Sequence, residues 1–209
     1  MSRLVEQVRS SKVSLARPYR KTKRALSEAE TRQRIVEATV GLHQSVGPAK
    51  TTVKAIAERA GVQRATVYKH FPDFEALFAA CNAHYYERHP MPDPERWATI
   101  ASPFERFGVA LRALYGWYEE TEEMLSVGIR DIDAVPRATR EAFFGYFHHV
   151  TRSLMAGRSE RGRARRRVAA AIGHAISFAT WRSLVREGSL SSEEAAELMQ
   201  ALVEAASTR

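Results

Sequence analysis

The eight residues from Gln63 to His70 include most of the side-chain types that recognise a nucleic acid. Gln63 carries an amide that can pair with adenine, Arg64 a fork that matches guanine O6 and N7, and Thr66 a methyl that can meet thymine's. Tyr68, Lys69 and His70 carry donors suited to phosphate, as do Thr51 and Thr52 upstream; such contacts hold register and do not read sequence. Other chemistries are poorly supplied. The sequence contains no glycine-rich phosphate loop, no H-E-x-x-H and no G-x-S-x-G. Cys81 is the single cysteine, so an intrachain disulfide and a cysteine-based zinc site are excluded, and a small buried hydrophobe is its expected role. His148–His149 and the pair His84 and His89 lack the three- or four-residue spacing that puts two metal ligands on one helix face. The expectation is a protein that is not an enzyme, with no catalytic residue, no cofactor and no metal.

Charge agrees with a polyanionic partner. Residues 1–75 hold 15 Lys and Arg against 7 Asp and Glu, while residues 76–209 hold 17 of each. The formal net charge of +8 is therefore wholly N-terminal, which marks one end of the molecule for nucleic acid. Residues 1–26 are the most basic stretch and contain Pro18. They are expected to form a flexible arm in which Arg20, Lys21, Lys23 and Arg24 can follow the DNA backbone or enter the minor groove.

The elements that must position Gln63 and Arg64 are short helices. Ser27 and Glu30 form a capping-box pattern that opens a first helix carrying Ile35, Thr39, Leu42 and Val46. Thr51 or Thr52 caps a second helix with Val53, Ile56, Ala57 and Ala60, and Gly61 ends it. A third covers roughly Gln63 to His70, with Val67 inward, and Phe71-Pro72 breaks it. Small residues at Ala57 and Gly61, where two helices cross, complete a helix-turn-helix pattern. Asp73 can cap a fourth helix through Phe74, Leu77, Phe78, Cys81 and Tyr85. No alternating strand pattern is found, so the fold class is all-α.

This pattern extends beyond a generic helix-turn-helix. Ile35, Ala38, Thr52, Ile56, Ala57, Ala60-Gly61-Val62, Thr66, Val67-Tyr68-x-His70-Phe71 and Leu77 resemble the DNA-binding domain of the tetracycline-repressor (TetR/AcrR) family of bacterial transcriptional regulators. The resemblance implies an all-α homodimer of about nine helices per subunit. Its expected parts are a DNA-binding domain at 27–75, after the 1–26 arm, and a larger effector-binding and dimerisation domain at 76–209. Family members are mostly repressors released by a ligand. Two departures concern DNA. Gln63 replaces the family's frequent Ser or Thr cap, and Pro72-Asp73-Phe74-Glu75 lacks the usual lysine near a phosphate.

In the C-terminal part the Pro-rich segment 89–94 reads as a loop. Ser102-Pro103-x-Glu105 opens a helix, a short helix covers about 122–132, and others cover 137–157, a long stretch to about Glu187, and 191 onward. The resemblance places an effector cavity among the aromatic stripes: Phe104, Phe107, Leu111, Tyr115, Phe143, Phe144, Phe147, His148, His174, Phe178 and Trp181. Their composition suits an apolar or aromatic effector. Ala171, Ala175 and Ala179, with Leu198, Met199, Leu202 and Val203, are expected at the dimer interface. The arginines between 158 and 167 read as a solvated loop. No stretch approaches the roughly 18 apolar residues of a membrane span, and a cytoplasmic, bacterial location at the nucleoid is expected. The leading expectation is a dimeric, sequence-specific repressor on a palindromic operator. Alternatives are an architectural protein binding DNA without sequence preference and an all-α enzyme.

Overall fold

The computed structural model describes residues 16–207, with side chains from Arg24 onward. Ten α-helices occur among them, and no strand: α1 (Ala16–Ser45), α2 (Val53–Ala60), α3 (Arg64–His70), α4 (Phe74–Arg88), α5 (Glu95–Ala98), α6 (Pro103–Arg130), α7 (Arg137–Leu154), α8 (Gly162–Ala175), α9 (Phe178–Arg182) and α10 (Ser192–Ser207). The all-α expectation holds. Two apolar clusters organise the chain. The smaller joins Ile35, Val36 and Ala38 of α1 to Ile56, Ala57, Ala60, Val67, Phe71, Leu77 and Cys81. The larger is built on α6, α8 and α10, around Phe107, Leu111, Leu114, Tyr115, Tyr118, Ile172, Trp181 and Val203.

Three helix boundaries differ from the sequence reading. First, α1 begins at Ala16, so the Ser27–Glu30 pattern lies inside a helix. There the Ser27 carbonyl serves as a helix acceptor and also takes the Thr31 hydroxyl at 2.8 Å. Second, α6 is one continuous helix of 28 residues and absorbs the short helix expected near 122–132. Ser102 caps it, accepting from Glu105 N at 3.3 Å, and Pro103 occupies its first turn, where a missing N–H costs nothing.

Third, the long helix expected to reach Glu187 breaks after Ala175. Tyr115 Oη donates to Ala175 O at 2.7 Å, and Tyr118 Oη donates to Ile176 O. Ser177 then caps α9 by accepting from Thr180 N at 3.2 Å. The two hydroxyls satisfy the carbonyls that a continuing helix would have used. The chain turns by 59° between Gly162–Ala175 and Phe178–Glu187. No single helix among the described residues is long and apolar enough to cross a membrane.

A buried charge ties α6 to the end of α7. Arg106 is 5% exposed. Its guanidinium donates to Ser153 O and Ala156 O, each at 3.0 Å, to Ile100 O at 3.0 Å and to Ala101 O at 3.4 Å. Ser153 and Ala156 lie at the C-terminus of α7, where free carbonyls and the helix dipole favour a cation.

His43 of α1 is 4% exposed and packs on Phe78 at 5.0 Å between ring centroids. Burial pulls its pKa from 6.5 to about 4. The unfolded chain therefore binds a proton that the folded chain refuses. Its stabilising effect is complete above pH 6.5 and is lost as pH falls through 6.5 towards 4, by up to about 3 kcal/mol. Denaturant titrations at pH 7.5 and 4.5 should show this loss in the natural chain and a distinctly smaller one in His43→Leu. Equal losses in the two chains would assign the acid sensitivity to other groups.

Candidate nucleic-acid interface

The helix-turn-helix is fixed by local chemistry at each corner. Thr52 caps α2, its Oγ1 accepting from Ala55 N at 3.2 Å. Gly61 ends α2 in the left-handed region, at φ 65° and ψ 40°, and Val62 N donates back to Ala57 O at 2.9 Å. That pair of features needs a residue free of a Cβ penalty. Arg34 of α1 donates to Ala60 O at 3.3 Å and takes up another terminal carbonyl of α2. Inside the turn, Ile56, Ala57 and Val67 are buried.

Gln63 stands at the N-cap of α3 with extended backbone and no side-chain cap bond. Its carbonyl starts the helix by accepting from Thr66 N at 2.9 Å. The amide of Gln63 is thus uncommitted to the helix it precedes. Gln63, Arg64, Ala65, Tyr68 and Lys69 are exposed, and Tyr68 stands 55% open despite its aromatic ring. Arg64 and Tyr68, four residues apart, share one outward stripe. Thr66 and His70 are half-buried. Thr51 is half-buried and its hydroxyl donates to Gly47 O at 2.9 Å. Thr52 is exposed, and its Oγ1 accepts in the cap, which leaves the hydroxyl proton free to donate outward.

Lys69 is already paired. Its Nζ lies 3.1 Å from Glu28 Oε1 on α1, and Arg24 Nε reaches the same carboxylate at 3.5 Å. Lys69 and Arg24 together hold the Glu28 carboxyl below the usual glutamate range, the Lys69 hydrogen bond contributing most. The side chains of Arg20, Lys21 and Lys23 lie outside the described residues, as does all of 1–15. Glu28→Gln should free Arg24 for phosphate and end the competition between this carboxylate and phosphate for Lys69. The expected result is tighter binding to any duplex, with a log–log salt slope steeper by about one phosphate contact. Fluorescence anisotropy over a series of salt concentrations checks it, and an unchanged slope would show that neither cation gains a phosphate contact.

The loop leading into the motif is fastened to the far end of α6, a contact that sequence patterns did not reveal. Arg130 Nη2 donates to Val46 O at 2.9 Å, and Asp131 Oδ2 accepts from Ala49 N at 3.1 Å. The two side chains also pair with each other at 2.8 and 3.1 Å. Arg130 and the Ala49 N–H hold the Asp131 carboxyl below its ordinary range. Gly47 sits between them at φ 90°, where a Cβ would overlap both side chains. The partners are separated by more than eighty positions in sequence, so no local spacing could announce them.

Nine of the eleven residues expected around an effector divide into two groups. Phe143, Phe144, Phe147, His148 and Phe178 line a groove of about 450 Å³ with Ile129, Ile132 and Ile176. Phe107, Leu111, Tyr115 and Trp181 are instead 0% exposed and fill the large core, because α6 packs directly on α9 and α10. Phe104 is 48% exposed near α10, and His174 is exposed, with Nε2 3.3 Å from Thr180 Oγ1. A second, smaller cavity of about 80 Å³ lies between the two clusters.

Of the residues expected at a dimer interface, Ala175, Met199 and Val203 are buried in the chain's own core and Ala171 packs against it. Packing of α8 on α10 within one subunit consumes that face. Ala179, Leu198 and Leu202 remain exposed.

Residues 35–81 match the family described as bacterial regulatory proteins, tetR family. No curated protein sequence matches the chain. Solved structures do. NalD, the secondary repressor of the MexAB-OprM multidrug efflux pump in Pseudomonas aeruginosa, superposes with a TM-score of 0.62 at 20% identity, covering 86% of this chain and 96% of that one. A TetR-like transcriptional regulator from Rhodococcus sp. RHA1 gives 0.58 at 20%, covering 83% and 93%. PfmR, a TetR family transcriptional regulator from Thermus thermophilus, gives 0.58 at 19%, covering 81% and 96%. At these identities the likeness concerns the fold.

Proposed function

We propose that this chain, a tetR-family helix-turn-helix carried on a tetR-like helical body, is a sequence-specific transcriptional regulator acting as a dimeric repressor. The observation that carries this reading is the outward stripe of α3: an uncommitted Gln63 amide, a free-standing Arg64 and an exposed Tyr68 on a helix otherwise anchored by Val67. Side chains arranged in this way at the N-terminus of a recognition helix suit base edges in the major groove. Gln63, Arg64 and Thr66 are assigned to bases; Thr51, Thr52, Tyr68, Lys69 and His70 are assigned to phosphates.

Two such helices must meet half-sites ~34–36 Å apart, which requires a dimer. Exposed Ala179, Leu198 and Leu202 are the apolar side chains left for it on α9 and α10. An apolar effector fits the groove lined by Phe143, Phe144, Phe147 and Phe178. Release of DNA follows when the effector favours a subunit arrangement that no longer fits both half-sites. A regulator of this kind would work in the bacterial cytoplasm, where its operator lies.

Selection from a random duplex library at near-physiological salt, followed by sequencing, tests the reading. An enriched palindrome is the expected result. Tight binding without enrichment, falling steeply with salt, would overturn it in favour of an architectural protein that grips DNA through its basic N-terminal segment.

A further inference from the structure

The groove between α7 and α8 changes character along its length. At one end Phe143, Phe144 and Phe147 of α7 face Gly173 and Ile176 at the end of α8. At the other, His148, Thr151, Arg152 and Met155 face Gly162, Arg165, Arg166 and Ala169 across a space of about 650 Å³. Each set of four has the spacing of a single helix face, i, i+3, i+4 and i+7. The helices run antiparallel, so both pass from apolar to basic at the same level. His148 and Thr151 line both parts, which makes the groove continuous.

The basic end stands apart from the body around it. Residues 148–167 hold seven arginines and one glutamate, leaving ten Lys and Arg against sixteen Asp and Glu in the rest of 76–209. Nor is 158–167 the solvated loop that its composition suggests. Arg158 is buried and pairs with Glu160 at 3.3 Å and Glu204 at 2.9 Å. Arg161 donates to the carbonyls of Ser159 and Glu160 at 2.9 and 3.1 Å. From Gly162 onward the chain is helical. Arg152, Arg163, Arg165 and Arg166 are exposed and have no ion pair or hydrogen bond among the described residues. The first turn of α8 holds no acid, so its arginines oppose both the helix dipole and one another. An anion in the groove offsets that repulsion.

No acid lines the basic end. Arginine forks there match phosphate oxygens two at a time. The charge of three guanidiniums is balanced better by a phosphate monoester, at about −1.5 to −2 near pH 7, than by one carboxylate. We propose that this groove takes an anionic amphiphile, its apolar part on Phe143, Phe144 and Phe147 and its phosphate-bearing head on Arg152, Arg165 and Arg166. A purely apolar molecule would leave the arginines unmatched, and a bare anion would leave the aromatic end uncovered. This ligand class rests on the effector reading of the same groove and adds a charged head to it.

Octyl phosphate, 1-octanol and inorganic phosphate are the probes, titrated into the full chain by calorimetry at low and near-physiological salt. Octyl phosphate is expected to bind saturably, about tenfold or more tighter than either of the others, because charge-assisted hydrogen bonds are worth a factor of that order. Its affinity should fall as salt rises. In Arg165→Gln/Arg166→Gln, which keeps good helix formers on an exposed face, octyl phosphate should lose about that tenfold and octanol nothing. The retained octanol binding also shows that the variant is folded. Octyl phosphate no tighter than octanol would overturn the charged head and leave an apolar effector standing. Inorganic phosphate as tight as octyl phosphate would overturn the apolar part. Unchanged octyl phosphate binding in the double variant, or no saturable binding of any probe, would overturn the proposal outright. If the double variant instead loses duplex binding alone, its arginines belong to a nucleic-acid surface and the proposal fails. Octyl phosphate that binds as expected yet leaves operator affinity unchanged would keep the site and count against the effector reading.

Discussion

Arg64→Ala is expected to weaken binding to the selected operator by roughly ten- to a hundredfold, about 1–3 kcal/mol, while binding to unrelated duplexes changes little. Arg64 is the first residue of α3, exposed, and has no ion pair among the described residues. Its fork is therefore free to meet a guanine edge without breaking anything inside the protein. The comparison that decides is Lys69→Ala, whose side chain reaches the phosphate side only by leaving Glu28. That substitution should lower binding to every duplex alike and reduce the salt slope by about one. Competition assays with operator variants check the difference. A uniform loss from Arg64→Ala would move Arg64 from the bases to the backbone.

Arg106→Met should cost about 3 kcal/mol of folding stability, a fall in Tm of roughly 6–12 °C for a chain of this size. Methionine retains the apolar stem but strands the carbonyls of Ile100, Ala101, Ser153 and Ala156, which one guanidinium now satisfies. Lysine should restore only part of the loss, because a single ammonium cannot span both sides of the fork. Thermal and denaturant unfolding of the two variants measures this. A cost below about 1 kcal/mol would mean that water replaces the guanidinium at those carbonyls.

How far the sequence could be read depended on the range of the interaction. The motif was legible because its determinants are local: Thr52 caps α2, Gly61 turns left-handed, and Val67 faces inward within one short span. The second cluster was legible as helices but not as a site. Aromatic side chains at helical spacing look alike whether they line a groove, as Phe143 and Phe147 do, or fill a core, as Phe107 and Trp181 do. Only the partner helix decides between these outcomes. The same limit applies to Ala175 and Met199, whose small and flexible side chains suit an interface inside or between subunits. The break after Ala175 depends on two tyrosine hydroxyls about sixty positions earlier in the chain. The contact of Arg130 and Asp131 with Val46 and Ala49, and the unpaired nitrogen of His43, likewise arise only once distant segments meet.

The unbroken course of α6 has a mechanical consequence. A helix of 28 residues is a beam roughly 42 Å long. One end is clamped: Arg106 grips the end of α7, Arg112 meets Glu193 at 2.6 Å, and Gln200 donates to Phe104 O at 2.8 Å. The other end holds the loop that leads into α2. A tilt of about 1° at the clamp displaces the tip by roughly 0.7 Å, more than the ~0.5 Å that separates a good N–H···O distance from a poor one. The beam therefore acts as a lever, turning a small rotation at one end into a displacement at the Val46–Ala49 fastening that exceeds the tolerance of its hydrogen bonds. Gly116 and Gly128 lie along it, where a Cβ would meet nothing within 4 Å; alanine at either position should strengthen the helix by up to about 1 kcal/mol without touching either end.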